Sequence, residues 1–450
     1  MENCKPEVDV AKYAGSRVSL VSQDCKIYRR RWVMLALFVF YSMSNSMQWI
    51  QYSIISDVVE KYYNISGKFV EWTSMVYMVS YIFLIVPGSW ALDKFGLRRC
   101  VILGSLGTCL GAGIKVFSTG RDSFIIGFLG QSMVAISQVF ILSVPARLAA
   151  VWFGTEEVSS ACAIGVFGNQ LGIAAGFLIP PTIVNEANNF EIIGSQLSLM
   201  FKLVAGFTAL LLALIIFIFE DQPPLPPSQA ALKQKEEVSD FTGSLKRLMT
   251  NPGYILLLLS YGINVGVFYA ISTLLNTVIL SAYPGARTDA GRIGLTIVLA
   301  GTLGSVVCGF VLDKTKKFKE TTILVYVFSL AGMVIFTYTL NCGIIFVVYA
   351  TSAFLGFFMT GYLPVGFELG SELTYPEPEG TGIGILNGFC QIFGILFTIG
   401  YSTLIEHIGV IHASNALSAS LVAGSALTCA IPKKYRRQEA QKDTKEDQKV

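Results

Sequence analysis

Gly88-Ser89-Trp90-Ala91-Leu92-Asp93-Lys94-Phe95-Gly96-Leu97-Arg98-Arg99 and, further on, Gly309-Phe310-Val311-Leu312-Asp313-Lys314-Thr315-Lys316-Lys317-Phe318-Lys319 decide how this chain folds. Each closes an apolar run with one aspartate and a basic cluster. Asp93 and Asp313 stand 220 residues apart, and the same offset pairs Trp49 with Tyr269 and Gly168 with Gly388. Solvated loop charges would account for either segment alone. Two in matching register point to a chain built from two repeated halves.

The composition says where those halves reside. Of 450 residues, 53% are hydrophobic and only 14% charged, with a mean hydropathy of +0.59. Soluble chains carry about 25% charged residues, so an ordinary soluble protein is excluded, as are disordered and disulfide-stapled chains. Twelve stretches are long and apolar enough to cross a bilayer. They lie near 32–56, 72–92, 100–118, 124–149, 159–184, 197–219, 254–280, 293–312, 321–340, 343–370, 381–405 and 412–431, and are called spans 1 to 12. The expected architecture is an all-α membrane protein of twelve transmembrane helices in two pseudo-symmetric six-helix halves.

A proline-rich, mixed-charge stretch divides the spans six and six. The chain is therefore expected to comprise an N-terminal tail (1–31), a first half (32–219), a linker (220–252), a second half (253–431) and a C-terminal tail (432–450). Of the 33 basic residues, 26 fall in the two tails, the linker, the two quoted loops and the inner end of span 4. The positive-inside rule then makes both termini and the linker cytoplasmic. The sequon Asn64-Ile65-Ser66 falls on the other side, where glycosylation occurs. The first 31 residues lack a short apolar core and a small-residue cleavage site, so no cleaved leader is expected.

An aspartate followed by a basic cluster at one end of spans 2 and 8 resembles the loop signature of the major facilitator superfamily. That resemblance implies alternating access around a central site. In these loops Asp93 and Asp313 are expected to accept hydrogen bonds from helix N-termini, and Lys94, Arg98 and Lys314 to hold the cytoplasmic gate.

Enzyme signatures are missing. Gly67-Lys68 lacks the upstream glycine of a phosphate-binding loop, and Gly380-Thr381-Gly382-Ile383-Gly384 opens a span and follows no strand. The nine cysteines are scattered and form no C-x-x-C pair, and His407 and His412 flank the loop between spans 11 and 12. Neither a metal site nor a cofactor is expected; the net charge of +3 suggests no nucleic-acid partner. The partners to expect are a small molecule and the bilayer, and no segment speaks to oligomeric state.

The middle thirds of spans 1, 4, 7 and 10, the expected cavity walls, hold no Asp, Glu, Lys, Arg or His. Lys115, Arg147, Lys202, Glu368 and Glu372 lie toward span ends, where long side chains snorkel. Proton coupling needs an intramembrane titratable group, so uniport is favoured. The interiors offer Trp49, Tyr77, Met78 and Tyr81, with the amides Gln131, Gln138, Asn169, Asn264 and Gln391. Gln138, Asn169, Tyr269 and Gln391 fall near the middle of four different spans. Aromatic faces without a carboxylate suit a quaternary ammonium, and amides suit a hydroxyl at its far end. A flat apolar molecule stacking on the same rings is the alternative.

Longer blocks resemble the feline leukaemia virus subgroup C receptor family: Ser46–Ile55, Ser74–Met78, Ser137–Leu142, Val151–Gly154, Gly165–Gly172, Ser272–Asn276, Gly356–Pro364 and Gln391–Phe397. The likeness spans roughly residues 30 to 430. It implies transport of choline and ethanolamine, with haem as the alternative cargo; the expected location of this multi-pass protein is the plasma membrane. It also implies that Trp49, Tyr77, Met78, Gln138, Asn169, Tyr269 and Gln391 are the ligand-contacting positions. No buried histidine is expected as a haem ligand, which favours the amines.

Overall fold

The computed structural model describes residues 27–142, 144–154, 157–185, 189–225, 241–377, 379–433 and 435. Span 1 is the helix Arg31–Ile50, continued through a 3₁₀ turn (Ser53–Ile55) into the short helix Ser56–Tyr63. Span 2 is Gly67–Phe95, span 3 Leu97–Val116, span 5 Val158–Ile183 and span 6 Phe190–Ile218. Span 4 is segmented into Phe124–Ser137, Val139–Leu142 and Val144–Trp152. In the second half, span 7 is Pro252–Ala282, span 8 Arg287–Thr315, span 9 Phe318–Thr339 and span 10 Ile345–Thr374.

The last helix, Glu379–Ala430, has 52 residues. At 1.5 Å per residue it would reach about 78 Å, far beyond a hydrocarbon core of about 30 Å. Gly409 breaks it, at φ 81° and ψ 166°, a region open only to glycine. Spans 11 and 12 meet there almost without a loop, which completes twelve spans. Within the linker, Phe241–Thr250 is helical. Leu248 is buried, so the end of this helix lies against the bundle. Both tails outside 27–435, and residues 226–240, fall outside the described residues.

Within the first half, span 1 packs on span 5, and span 3 on spans 4 and 6; in the second, span 7 packs on the last two spans and span 8 on span 10. Small residues permit this closeness where lipid gives no hydrophobic drive. A Cβ added at Gly172 would stand 2.5 Å from Met43 O, and one at Gly176 2.6 Å from Met47 O. The halves meet through spans 5 and 8 and spans 2 and 11.

That meeting is lopsided. Call the side bearing Arg30, Lys94, Lys314 and Lys433 the basic face. On the opposite face the halves are bonded together. Asp57 accepts from Arg287 Nε at 3.0 Å and from Asn276 Nδ2 at 2.9 Å. Ser402 donates to Glu71 at 2.5 Å, and Lys68 pairs with Glu406 at 2.8 Å. A Cβ at Gly294 would fall 2.3 Å from the Phe177 ring. Among the described residues, none of the ion pairs on the basic face joins the two halves: Arg30–Glu220, Arg31–Glu157, Arg247–Glu377 and Lys433–Glu320.

Span 11 records the taper. Residues 384, 388, 391, 394, 398 and 402 share one helical side. Gln391, Gly394, Thr398 and Ser402 on it are buried, and Gly394 abuts Tyr269 and Met78. Toward the basic face, Gly384 and Gly388 are half-exposed, and an added Cβ would meet nothing within 4 Å. Among the described residues, the bonds joining the halves lie opposite the basic face, and open space beside span 11 lies toward it. Gly168 and Gly388, paired by the 220-residue offset, thus differ in surroundings, since Gly168 presses on the Val39 backbone.

Candidate substrate site

Where the seal ends, the two repeat-related aromatics meet. Trp49 and Tyr269 lie edge to face, with centroids 5.6 Å apart at 72°. Trp49 is one residue short of the end of its helix, and Tyr269 sits in the middle of span 7. Gln391 Nε2 donates to Tyr269 Oη at 3.5 Å, at the limit of a hydrogen bond. Gly394, one turn on, lets Met78 and Tyr269 approach span 11: its missing Cβ would be 2.9 Å from Met78 Sδ and 2.7 Å from the Tyr269 ring. Four of the seven expected contact residues (Trp49, Met78, Tyr269 and Gln391) therefore form one cluster bridging the halves. Phe268 flanks it, 6.2 Å from Tyr269 by centroids.

The other three are placed differently. Asn169 is half-buried and donates to Ser46 Oγ at 2.7 Å, tying span 5 to span 1 a turn before Trp49. Gln138 is half-buried at the break in span 4, where its backbone N–H bonds three residues back, to Ala135 O. Its side chain has no hydrogen-bond partner among the described residues. Tyr77 is 1% exposed and its hydroxyl is likewise unpartnered. Unpaired polar atoms near a cleft are what an arriving ligand or water can satisfy.

In the two aspartate-and-basic loops, Lys94 Nζ lies 4.6 Å above the Trp90 ring. Arg98 donates from Nη2 to Ile216 O at 3.0 Å, and its backbone N–H goes to Asp221 at 2.9 Å. Asp221, just past span 6, thus caps the start of span 3, a partner the loop sequence did not suggest. Lys314 is exposed, and the side chains of Asp93 and Asp313 lie outside the described residues. Beside the linker helix, Arg247 Nη2 donates to Glu377 at 3.0 Å and holds that carboxyl below the usual carboxylate range. Asn64 is exposed, in a left-handed turn at φ 53° that ends its helix.

Three features escaped the sequence reading. Lys115 does not snorkel: it is 1% exposed, inside the first half, bonded to Gln131 and Gln51. Span 3 ends at Val116 against spans 1 and 4, so its last turn meets protein where the reading assumed an interface with water. Glu372, also placed at a span end, is 4% exposed. The Asp57–Arg287 bridge joins residues far apart in the chain, and no local pattern announces it. Surplus polarity around Gln48 and Gln51 was the one available signal for the first network.

Residues 32–398 match the family model of the Major Facilitator Superfamily. The chain is 48% identical to the choline/ethanolamine transporter flvcr2a of Danio rerio over 440 residues, which is 97% of this chain and 93% of that protein. It is 47% identical to the choline/ethanolamine transporter FLVCR2 of Homo sapiens over 427 residues, 94% of this chain and 81% of the other. Among solved structures, a bacterial homologue of the human lysosomal transporter Spinster, in an inward-facing and unoccupied conformation, superposes with a TM-score of 0.72. Its identity is 13%, with 92% of this chain and 99% of that one covered.

Proposed function

The chain belongs to the Major Facilitator Superfamily, among its choline/ethanolamine transporters, and from that premise we propose that it carries choline, and ethanolamine with it, by uniport. It is a multi-pass integral membrane protein of a transporter family, not an enzyme. The observation that carries the reading is the Trp49–Tyr269 pair at the seam between the halves. A quaternary ammonium cannot donate a strong hydrogen bond, so a carboxylate is not its natural host. Ring faces attract it with about 2 kcal/mol each once desolvated, and Met78 adds a polarisable contact. Gln391, Gln138 and Asn169 then serve the hydroxyl end, and Tyr77 contributes its unpaired hydroxyl.

Transport follows from the lopsided meeting of the halves. With the basic face inside the cell, the form described here opens to the cytoplasm. Release of the cation lets the halves rock, parting Asp57 from Arg287 and closing the Gly384–Gly388 side. The loops holding Lys94, Arg98 and Lys314, with Asp93 and Asp313, act as the inner latch. We place the protein in the plasma membrane, with both termini cytoplasmic and Asn64 glycosylated outside. Both histidines, His407 and His412, are exposed away from the site, which supports a small amine over haem. The test is uptake of radiolabelled choline by cells expressing the chain, with ethanolamine and haem as competitors. Saturable uptake blocked by ethanolamine supports the proposal, and uptake no greater than in empty cells refutes it.

A further inference from the structure

Lys115 has no part in the scheme above, yet it sits at the hub of a network. Its ammonium donates to Gln131 Oε1 at 2.9 Å and Gln51 Oε1 at 3.3 Å, and lies 5.8 Å from the Tyr52 ring centre. Among the described residues no carboxylate pairs with it. Its surroundings are neutral oxygens and an aromatic face, and it is 1% exposed. A buried ammonium without a counter-ion weighs against folding, so its value lies in what it orients.

The orientation is forced. Lysine has donors only, so both glutamines must turn their amide oxygens toward it. That leaves the Gln131 NH₂ pointing the other way. Both its hydrogens are used there, to Gln48 O at 2.7 Å and to Thr73 O at 3.1 Å. The Gln48 carbonyl belongs to the peptide whose nitrogen is that of Trp49. The helix ends at Ile50, so this peptide sits in the last turn, where carbonyls lack helical partners. Four spans are tied together at the point from which Trp49 projects.

We propose that Lys115 is a positioning residue for Trp49: through Gln131 it fixes the Gln48–Trp49 peptide, and so the ring the cation binds. This rests on the choline reading of the same site. The nearest alternative is a brace that only stabilises the first half.

The two roles separate in proteoliposome uptake with radiolabelled choline, measuring KM, Vmax per folded transporter and melting temperature. Lys115→Met removes the donors and the buried charge. It is expected to raise KM about tenfold, the equivalent of one hydrogen bond to a charged group, with melting temperature unchanged or higher. Gln131→Glu keeps an acceptor for Lys115 but loses both donors to Gln48 and Thr73, and is expected to raise KM likewise. This second variant decides the matter if Lys115→Met fails to fold. KM within twofold of wild type in each folded variant would overturn the inference, as would a lowered melting temperature with KM unchanged. Wild-type protein that takes up no choline refutes the functional reading instead.

Discussion

Replacing Asp57 with asparagine should loosen the seal opposite the basic face by a predictable amount. Asp57 accepts from Arg287 through Nε and Nη2 and from Asn276 across the seam. The Arg287 side chain is 8% exposed and that of Asp57 31%. Exposed pairs contribute about 0.2–1 kcal/mol, whereas breaking a buried pair costs about 3–5 kcal/mol. This half-enclosed, forked pair falls between, near ~2 kcal/mol. Asparagine keeps the shape but loses the charge, so the ratio of sealed to unsealed protein should drop about thirtyfold. Beneath the bridge, Ser74 and Thr273 share a hydrogen bond of 3.1 Å, at 0% and 3% exposure. A thiol introduced as Ser74→Cys is therefore shielded while the seal holds. In purified protein with Cys4, Cys25, Cys342 and Cys429 replaced by serine, its maleimide labelling should speed up at least tenfold when Asp57→Asn is added. The swap Asp57→Arg with Arg287→Asp should slow it again. Equal labelling rates with and without Asp57→Asn would refute the reasoning, because the bridge would then not hold the halves together.

Other perturbations probe the site itself. Trp49→Ala should abolish choline uptake at substrate concentrations near KM while surface expression persists, since a desolvated ring contributes about 2 kcal/mol; Trp49→Phe should retain part of it. Gln138→Ala and Gln391→Ala remove neutral hydrogen bonds of about 0.5–1.5 kcal/mol and should raise KM only a few-fold; if both leave it unchanged, these amides serve packing. On the basic face, Arg247 depresses Glu377, so this clip contributes stability above the ordinary carboxylate pKa of about 4.3 and loses it as pH falls through the lowered value. Limited proteolysis of the linker should be constant from pH 7 to about pH 5 and should accelerate at pH 7 in Glu377→Gln.

The chain's repeat and its spans were legible because a bilayer demands about 20 apolar residues per crossing. Even so, the last two spans read as separate stretches with a loop, whereas Gly409 alone makes the turn. Trp49 and Tyr269 were legible as partners through the 220-residue offset, and Gln391 as a central amide. Spacing could not tell which amides converge: Asn169 is engaged with Ser46, and Gln138 marks a helix break. Lys115 was misread because nearness to a span end says nothing about which neighbours enclose it. Asp57 and Arg287 are 230 residues apart, so their pairing belongs to the assembled halves alone.

The central claim is uniport of a cation through a site that holds it on aromatic rings and neutral amides. Inward movement of one fixed charge gains about 2.3 kcal/mol per 100 mV of negative interior potential, enough for about fortyfold accumulation. The direct measurement is radiolabelled choline uptake into proteoliposomes with voltage, sodium and pH set independently. Accumulation is expected to follow the imposed voltage and to survive removal of sodium and collapse of the pH gradient. Strict dependence on either ion at clamped voltage would contradict uniport.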